Sequence, residues 1–237
     1  MLIKRNQNCL GPIIVSCTSW KKHIKYTDRL IKNMLNQTLQ PDKIYLNLSS
    51  NEFKHMNDDL PIELIELLKN NIGKLYINWV KENTKSYKKL LPVAKLYSEW
   101  PDALILTVDE DVIYSNDYIE YMVNLAKLYP YNYVTPGTFN PYLHGYAAIY
   151  HSSWFRPGIL WKIKPSYCYR FPCSDQWIIK CLSYVNITNK VIKEIESKIN
   201  LIDLDHKLSN FYKKKLQNPA FNEKIDKIFN KLIISNK

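Results

Sequence analysis

No stretch of this 237-residue chain approaches the roughly 18 consecutive apolar residues that a membrane-spanning helix needs. The opening residues, Met1-Leu2-Ile3-Lys4-Arg5-Asn6-Gln7-Asn8-Cys9, lack the apolar stretch of a secretory signal. The five cysteines, Cys9, Cys17, Cys168, Cys173 and Cys181, are odd in number and form no CxxC pair. They read as reduced thiols of a cytoplasmic protein, packed as small apolar groups, and not as a disulfide framework. No internal repeat and no low-complexity linker interrupts the chain. Acids are in short supply: 22 Asp and Glu face 33 Lys and Arg, a net charge of +11. That balance points to an anionic partner (nucleic acid, an anionic lipid surface or a phosphorylated substrate) or to a solvated basic surface.

What is present suits one large α/β domain, since 46% hydrophobic content over this length can fill a sizeable core. The β-branched run Ile13-Ile14-Val15-Ser16-Cys17-Thr18 predicts a strand, and 26–37 a helix through Leu30, Ile31, Met34 and Leu35. Pro41-Asp42 then introduces a second strand over 43–48. A helix over 62–68 starts after Pro61 and Gly73 closes that region, a third strand covers 75–80, and 87–97 reads as a further helix. A fourth strand follows. This alternation predicts a mostly parallel, doubly wound, Rossmann-like central sheet flanked by helices. Beyond it, Asn116 is placed to cap a helix carrying Tyr118, Met122, Leu125 and Leu128. The segment 130–172 is rich in Tyr, Trp, Gly and Pro and poor in acids, as loops around a cleft are. A helix is expected over 173–184, and a basic amphipathic one from Phe221, with Ile225, Ile228 and Leu232 on one face and Lys224, Lys227 and Lys231 away from it.

The fourth strand carries the strongest signal. The run Ala103-Leu104-Ile105-Leu106-Thr107-Val108 ends in Asp109-Glu110-Asp111. An apolar run without alternation is a strand buried on both faces, and ligands of open α/β sheets sit at the carboxyl ends of such strands. Three acids there repel one another unless a cation intervenes, and hard ions such as Mg2+ or Mn2+ favour carboxylate oxygens. Adjacent strand residues point to opposite sides, so Asp109 and Asp111 share a direction while Glu110 faces away. The lysine-rich segment 81–92 follows the third strand, hence lies on the same rim, where Lys88 or Lys89 can neutralise phosphate. Asp175, in Cys173-Ser174-Asp175-Gln176-Trp177, opens a helix, either as a general base or as an acid stabilising the helix dipole. Tyr142, Tyr146 and Trp154 either stack on sugar faces or fill a core, and His23 and His55 have no evident partner.

Taken in order, Val15-Ser16-Cys17-Thr18-Ser19-Trp20, Leu35-Asn36-Gln37-Thr38 with Pro41-Asp42-Lys43-Ile44, Ser86-Tyr87-Lys88-Lys89-Leu90-Leu91-Pro92, and Thr107-Val108-Asp109-Glu110-Asp111-Val112-Ile113-Tyr114 resemble bacterial glycosyltransferases of the GT-A fold. These are the family 2-like enzymes of surface-polysaccharide assembly, capsule or lipooligosaccharide, and the likeness covers about the first half of the chain. The resemblance implies a GT-A domain over 1–212, with a nucleotide-binding half over 1–114 and an acceptor half over 115–212, and a C-terminal helix over 213–237. It places Thr18 and Trp20 beside the base and ribose of a nucleotide-sugar donor, and Lys89, with Lys88 as the alternative, at the diphosphate. Asp111 would bind Mn2+ or Mg2+ directly, and Asp109 would hold ribose or a metal-bound water. Glu110 would join the donor-binding residues at the middle of the triplet, where the family often has aspartate, a change its outward direction makes tolerable. His206 would supply a third metal ligand. Asp175 would be the base of an inverting transfer, although Ser174 replaces the first of the paired acids usual at that place. His144-Gly145-Tyr146-Ala147-Ala148-Ile149-Tyr150 resembles the small-residue border of the sugar pocket. The acceptor would be a saccharide or lipid-linked saccharide, with the C-terminal helix docked on the inner face of an anionic membrane, packed on the domain, or joining a homodimer.

Two other classes are weaker. A haloacid-dehalogenase-like phosphatase also has aspartates in this spacing at a strand end, but on its first strand, whereas about a hundred residues precede Asp109 here. A nucleic-acid-binding module fits the charge, but the acid triplet on the binding rim would repel phosphate without a metal, so no nucleic acid is expected.

Overall fold

The computed structural model describes residues 11–136, 146–170, 174–202 and 219–234. Strands β1 (Ile13–Thr18), β2 (Lys43–Ser49), β3 (Leu75–Val80), β4 (Leu104–Val108), β6 (Asn132–Thr135), β7 (Ala147–His151) and β8 (Thr188–Val191) form one sheet in the order β3-β2-β1-β4-β7-β6-β8. Only β7 runs against the rest. The ends of β1 to β4 therefore share one rim, as predicted. A separate ribbon pairs β5 (Val112–Tyr114) with β9 (Ile199–Leu201).

Two apolar layers cover the sheet. Ile13, Val15 and Cys17 of β1 and Leu104, Leu106 and Val108 of β4 face α1 (Thr27–Leu35), α2 (Ile62–Asn70) and α4 (Tyr118–Leu128). Ile14 and Ile105, one residue out of phase, face the layer that holds Tyr133, Tyr150 and Trp177. That second layer includes α3 (Leu91–Ala94), α5 (Pro165–Arg170) and α6 (Ser174–Tyr184). Trp177 of α6 is 1% exposed and donates its indole N–H to the Leu160 carbonyl at 2.7 Å, which satisfies its only polar atom. Cys17, Cys168 and Cys181 are buried free thiols, as expected.

Three local expectations need correction. The segment 87–97 is not one helix. It is a 3-10 turn over Lys85–Lys89, then α3, then a second 3-10 turn over Lys95–Ser98. Pro92 lacks an N–H and can stand only in the first turn of a helix, so no α-helix runs through it from residue 87. In α4 the buried stripe is Tyr118, Ile119, Met122, Val123 and Ala126, while Leu128 is exposed and Asn116 makes no side-chain cap. Finally, β4 stops at Val108, so the acid triplet occupies the turn into β5 and not the strand itself.

The basic helix α7 (Pro219–Ile234) uses its apolar face on the domain. Phe229 lies 5.2 Å from Trp177 and 6.3 Å from Tyr184 between ring centroids, and Ile225 is buried. Lys180 of α6 pairs with Asp226, while Lys224, Lys227 and Lys231 stay exposed. Among the described residues no helix is long and apolar enough to cross a membrane.

Candidate active site

The turn after β4 is held from four sides. The backbone N–H of Asp109 donates to the Tyr114 hydroxyl at 2.9 Å, and that hydroxyl donates to the Tyr146 carbonyl at 2.5 Å. Tyr114 is itself fixed to α1, because Asn33 accepts from its N–H and donates to its carbonyl, both at 2.9 Å. Arg29 Nη2 donates to the Glu110 carbonyl at 3.0 Å, and Ile202 N–H to the Asp111 carbonyl at 2.7 Å. These bonds fix the backbone from which the carboxylates project.

Each carboxylate has a different neighbour. Lys89 Nζ meets Asp109 Oδ1 at 2.5 Å, with side-chain exposures of 8% and 26%. Burial alone would lower the lysine, but Asp109, Asp175 and Asp111 outweigh it and hold its pKa above the usual range. Asp175, at the start of α6, is thus close enough to Lys89 for its charge to be felt there, and it also helps burial push Tyr133 and Tyr150 up. Lys89, Asp109, Asp111 and Asp175 therefore belong to one cluster of charges at the sheet's carboxyl rim. Lys88 does not. It turns to Asn83 Oδ1 at 2.6 Å and Glu52 at 3.7 Å, and burial depresses its pKa to about 8.

Glu110 is the clearest departure. The alternation argument sent it outward, but a turn does not alternate. Glu110 is 9% exposed, accepts from Ser19 Oγ at 3.2 Å and lies 3.5 Å from His23 Nδ1. It ties the triplet to the loop after β1. His23, which had no partner in the sequence pattern, links Glu110 to Trp20, whose ring is 4.7 Å away. Thr18 donates its hydroxyl to the Asn47 carbonyl at 2.7 Å. Beneath it a buried network runs across three strands: Asn78 donates to Asn47 at 3.0 Å, Asn47 to Ser16 Oγ at 2.9 Å, and Ser16 to the Lys89 carbonyl at 2.6 Å. An asparagine in the apolar β2 run was its signal, and Asn47 is fully buried. Trp154 lies elsewhere, 5.9 Å from His151, which pairs with Leu104 at the opposite end of β4. Tyr142 and His206 fall outside the described residues.

The acids fit a divalent cation. Burial first, then Asp111 and Glu110 against the pull of Lys89, raise Asp109 to about 7, and burial with Glu110 raises Asp111. One ammonium does not balance three crowded carboxyl groups, and their oxygens are the donors that Mg2+ or Mn2+ prefers. Among the described residues no three His, Cys, Asp or Glu groups come together to hold a metal ion, so Asp109 and Asp111 would leave most coordination positions to other oxygens.

No family model and no curated protein sequence matches this chain. Solved structures do. The chain is similar to the mannosyltransferase PcManGT from Pyrobaculum calidifontis, in complex with GDP-Man and Mn2+, with a TM-score of 0.59 and 11% identity over 82% of this chain. It is also similar to residues 1–349 of TarS from S. aureus, in complex with UDP, with a TM-score of 0.54 and 11% identity over 76% of this chain. The fold is that of these glycosyltransferases. The chain spans 58% of the first protein's length and 57% of the second's.

Within this glycosyltransferase fold, the Tyr114 hydroxyl and the Asp109 carboxyl give two testable consequences. Tyr114→Phe keeps the ring but leaves the Asp109 N–H and the Tyr146 carbonyl without that partner. We expect a loss of about 1–3 kcal/mol in denaturant unfolding, the cost of unsatisfied buried groups. For Asp109 the folded pKa lies above the unfolded one, so its contribution to stability is complete below about pH 4 and is lost as pH rises through about 7. A cation competes with that proton. Stabilisation by Mn2+ in thermal unfolding should therefore be larger at pH 8 than at pH 6, and Asp109→Asn should flatten the difference.

Proposed function

We propose that this protein is a metal-dependent glycosyltransferase that moves a sugar from a nucleotide-sugar donor to a saccharide or lipid-linked saccharide. The reading rests on one observation: Asp109 and Asp111 share the turn at the end of the central strand, Asp109 pairs with Lys89, and Asp175 is close enough for its charge to act on Lys89. Asp111, with Asp109, would hold Mn2+ or Mg2+. When bound, the ion supplies positive charge to the donor's diphosphate. The neighbours in complex with GDP-Man and Mn2+ and with UDP support the same ligand class for this chain.

The chain's own residues then have distinct tasks. Thr18 and Trp20, in the loop after β1, border the base and ribose, and Glu110 with His23 fixes that loop to the triplet. Lys89 presents its ammonium to the leaving diphosphate, where charge grows as the bond from the sugar's anomeric carbon breaks. Asp175 accepts the proton of the acceptor hydroxyl as that oxygen attacks the anomeric carbon, which gives inversion. The products are the glycosylated acceptor and the nucleoside diphosphate. We assign the process to surface-polysaccharide assembly in the cytoplasm, with the exposed lysines of α7 free to meet an anionic membrane electrostatically. Its apolar face is occupied, so insertion is not part of the reading.

The test is a thermal-shift screen of UDP-, GDP-, CMP- and dTDP-linked sugars with and without Mn2+. Ligand at a hundredfold excess over Kd stabilises the folded state by about 2.7 kcal/mol. One donor class should raise the melting temperature only when Mn2+ is present. Silence across all four classes would end the proposal.

A further inference from the structure

Ser16 of β1 and Asn47 of β2 are fully buried polar residues inside the sheet. Neither is needed to hold the strands together, because the backbone ladder already pairs β1 with β2 and β2 with β3. Apolar side chains would avoid the cost of taking an amide and a hydroxyl out of water. Here every step is bonded instead. Asn78 Nδ2 donates to Asn47 Oδ1 at 3.0 Å, and Asn47 Nδ2 donates to Ser16 Oγ at 2.9 Å and to the Cys17 carbonyl at 3.1 Å. Ser16 Oγ then donates to the Lys89 carbonyl at 2.6 Å. That last bond leaves the sheet and ends on the 3-10 turn over Lys85–Lys89. Through its own carbonyl Asn47 also accepts the Thr18 hydroxyl at 2.7 Å. One buried amide residue is thus tied both to Thr18 and to the backbone of Lys89.

The same turn is pinned from a second side. Lys88, 2% exposed, donates to Asn83 Oδ1 at 2.6 Å, and Asn83 Nδ2 donates to Glu52 Oε2 at 2.9 Å. Glu52 Oε1 accepts the Lys21 backbone N–H at 3.1 Å, so this chain of bonds runs through the loops after β3, β2 and β1. Lys88 anchors the turn, Ser16 fixes the Lys89 carbonyl, and the Lys89 ammonium reaches Asp109 at 2.5 Å. A lysine ammonium is a point charge on a flexible stem, so its place depends on how firmly its backbone is held. Donors that are already in place act on phosphate charge without reorganisation.

We propose that Ser16, Asn47 and Asn78 are positioning residues that set the Lys89 ammonium at a fixed separation from Thr18, and so make the site prefer two phosphates to one. This rests on the reading of Thr18 at the nucleoside and Lys89 at the diphosphate, and adds what holds the two apart. The competing role is stability of the sheet alone. Ser152 supplies the matched comparison: it is 1% exposed and its hydroxyl donates to the Trp100 carbonyl at 2.6 Å. It follows His151, which pairs with Leu104 at the opposite end of β4.

The full-length protein is to be titrated with UDP, GDP, CDP and dTDP and with the matching monophosphates, at saturating Mn2+, with a thermal melt of each variant. The readout is the ratio of diphosphate to monophosphate affinity for the base that binds. Lys89→Met should lower this ratio at least about tenfold, and Ser16→Ala about three- to tenfold, with monophosphate affinity unchanged. Asn78→Ala, at the part-exposed end of the network, should fold without difficulty and lower the ratio about twofold. Combining Ser16→Ala with Lys89→Met should lower it no further than Lys89→Met alone, because the serine acts through the lysine. Ser152→Ala should lower the melting temperature as Ser16→Ala does and leave the ratio as in wild type. A ratio unchanged in both Ser16→Ala and Asn78→Ala, an equal drop in Ser152→Ala, or a Ser16→Ala drop that persists in full without Lys89 would each overturn the proposal and leave the donor site standing. Wild-type protein that binds none of the four diphosphates would sink the reading of the site, and the proposal with it.

Discussion

Asp111→Ala should lower turnover by at least about a thousandfold with Mn2+ present and leave the fold intact. Removing the ion's charge from a breaking sugar–phosphate bond forfeits several kcal/mol, at about 1.4 kcal/mol per tenfold. The structure predicts the opposite sign for stability. Asp111 is raised in pKa by burial and by Glu110, so in metal-free protein it is a carboxylate held against its preference. The variant should therefore melt no lower than wild type without Mn2+, and it should lose the stabilisation that Mn2+ confers. Steady-state kinetics together with paired thermal melts separate these effects. A variant that is inactive because it is unfolded, or one that keeps near-full turnover, would contradict the assignment.

Asp175→Asn is the second large effect. A general base is worth about 10^2 to 10^4 in rate, and asparagine matches the carboxylate in shape while it cannot take the proton. Donor binding should persist, so the loss should fall on kcat and leave the donor KM near its wild-type value. The competing role is an acid in the first turn of α6, where it favours the helix dipole. That role is worth about 0.3–1 kcal/mol and acts on stability alone. Retained turnover with a slightly lower melting temperature would assign Asp175 to the helix and not to the chemistry.

What was legible in the sequence follows from how far each signal reaches along the chain. Strands β1 to β4 were readable because each is an unbroken apolar or β-branched run, and their parallel order follows from the alternation with helices. Lys89, Asp109 and Asp111 could be placed on one rim because every strand of that half ends there. The failures are equally physical. The segment 87–97 was read as one helix, but Pro92 forbids it, and the resulting 3-10 turn is what buries Lys88 and Lys89 in different directions. Glu110 was sent outward because the strand was taken to run through the triplet. A strand end misplaced by a residue or two reverses that inference.

The partners that complete the cleft were not readable at all. Glu110 meets Ser19 across 91 positions, and Tyr114 meets Asn33 across 81. No periodicity encodes such pairs. Asn47 was the exception in principle, since a polar side chain inside an apolar strand must find a partner when buried. The amphipathic pattern of α7 was right, but a pattern does not name what covers it. The rings of Trp177 and Tyr184 do.

The most direct test of the cation-bridged cleft is a calorimetric titration of the donor chosen by the thermal screen. It is to be run on wild type with saturating Mn2+, on wild type with EDTA, and on Asp111→Ala with Mn2+. We expect binding in the first case and affinity lower by at least about tenfold in the other two, a difference of about 1.4 kcal/mol. Equal affinity in all three would show that the turn after β4 holds no metal for the donor.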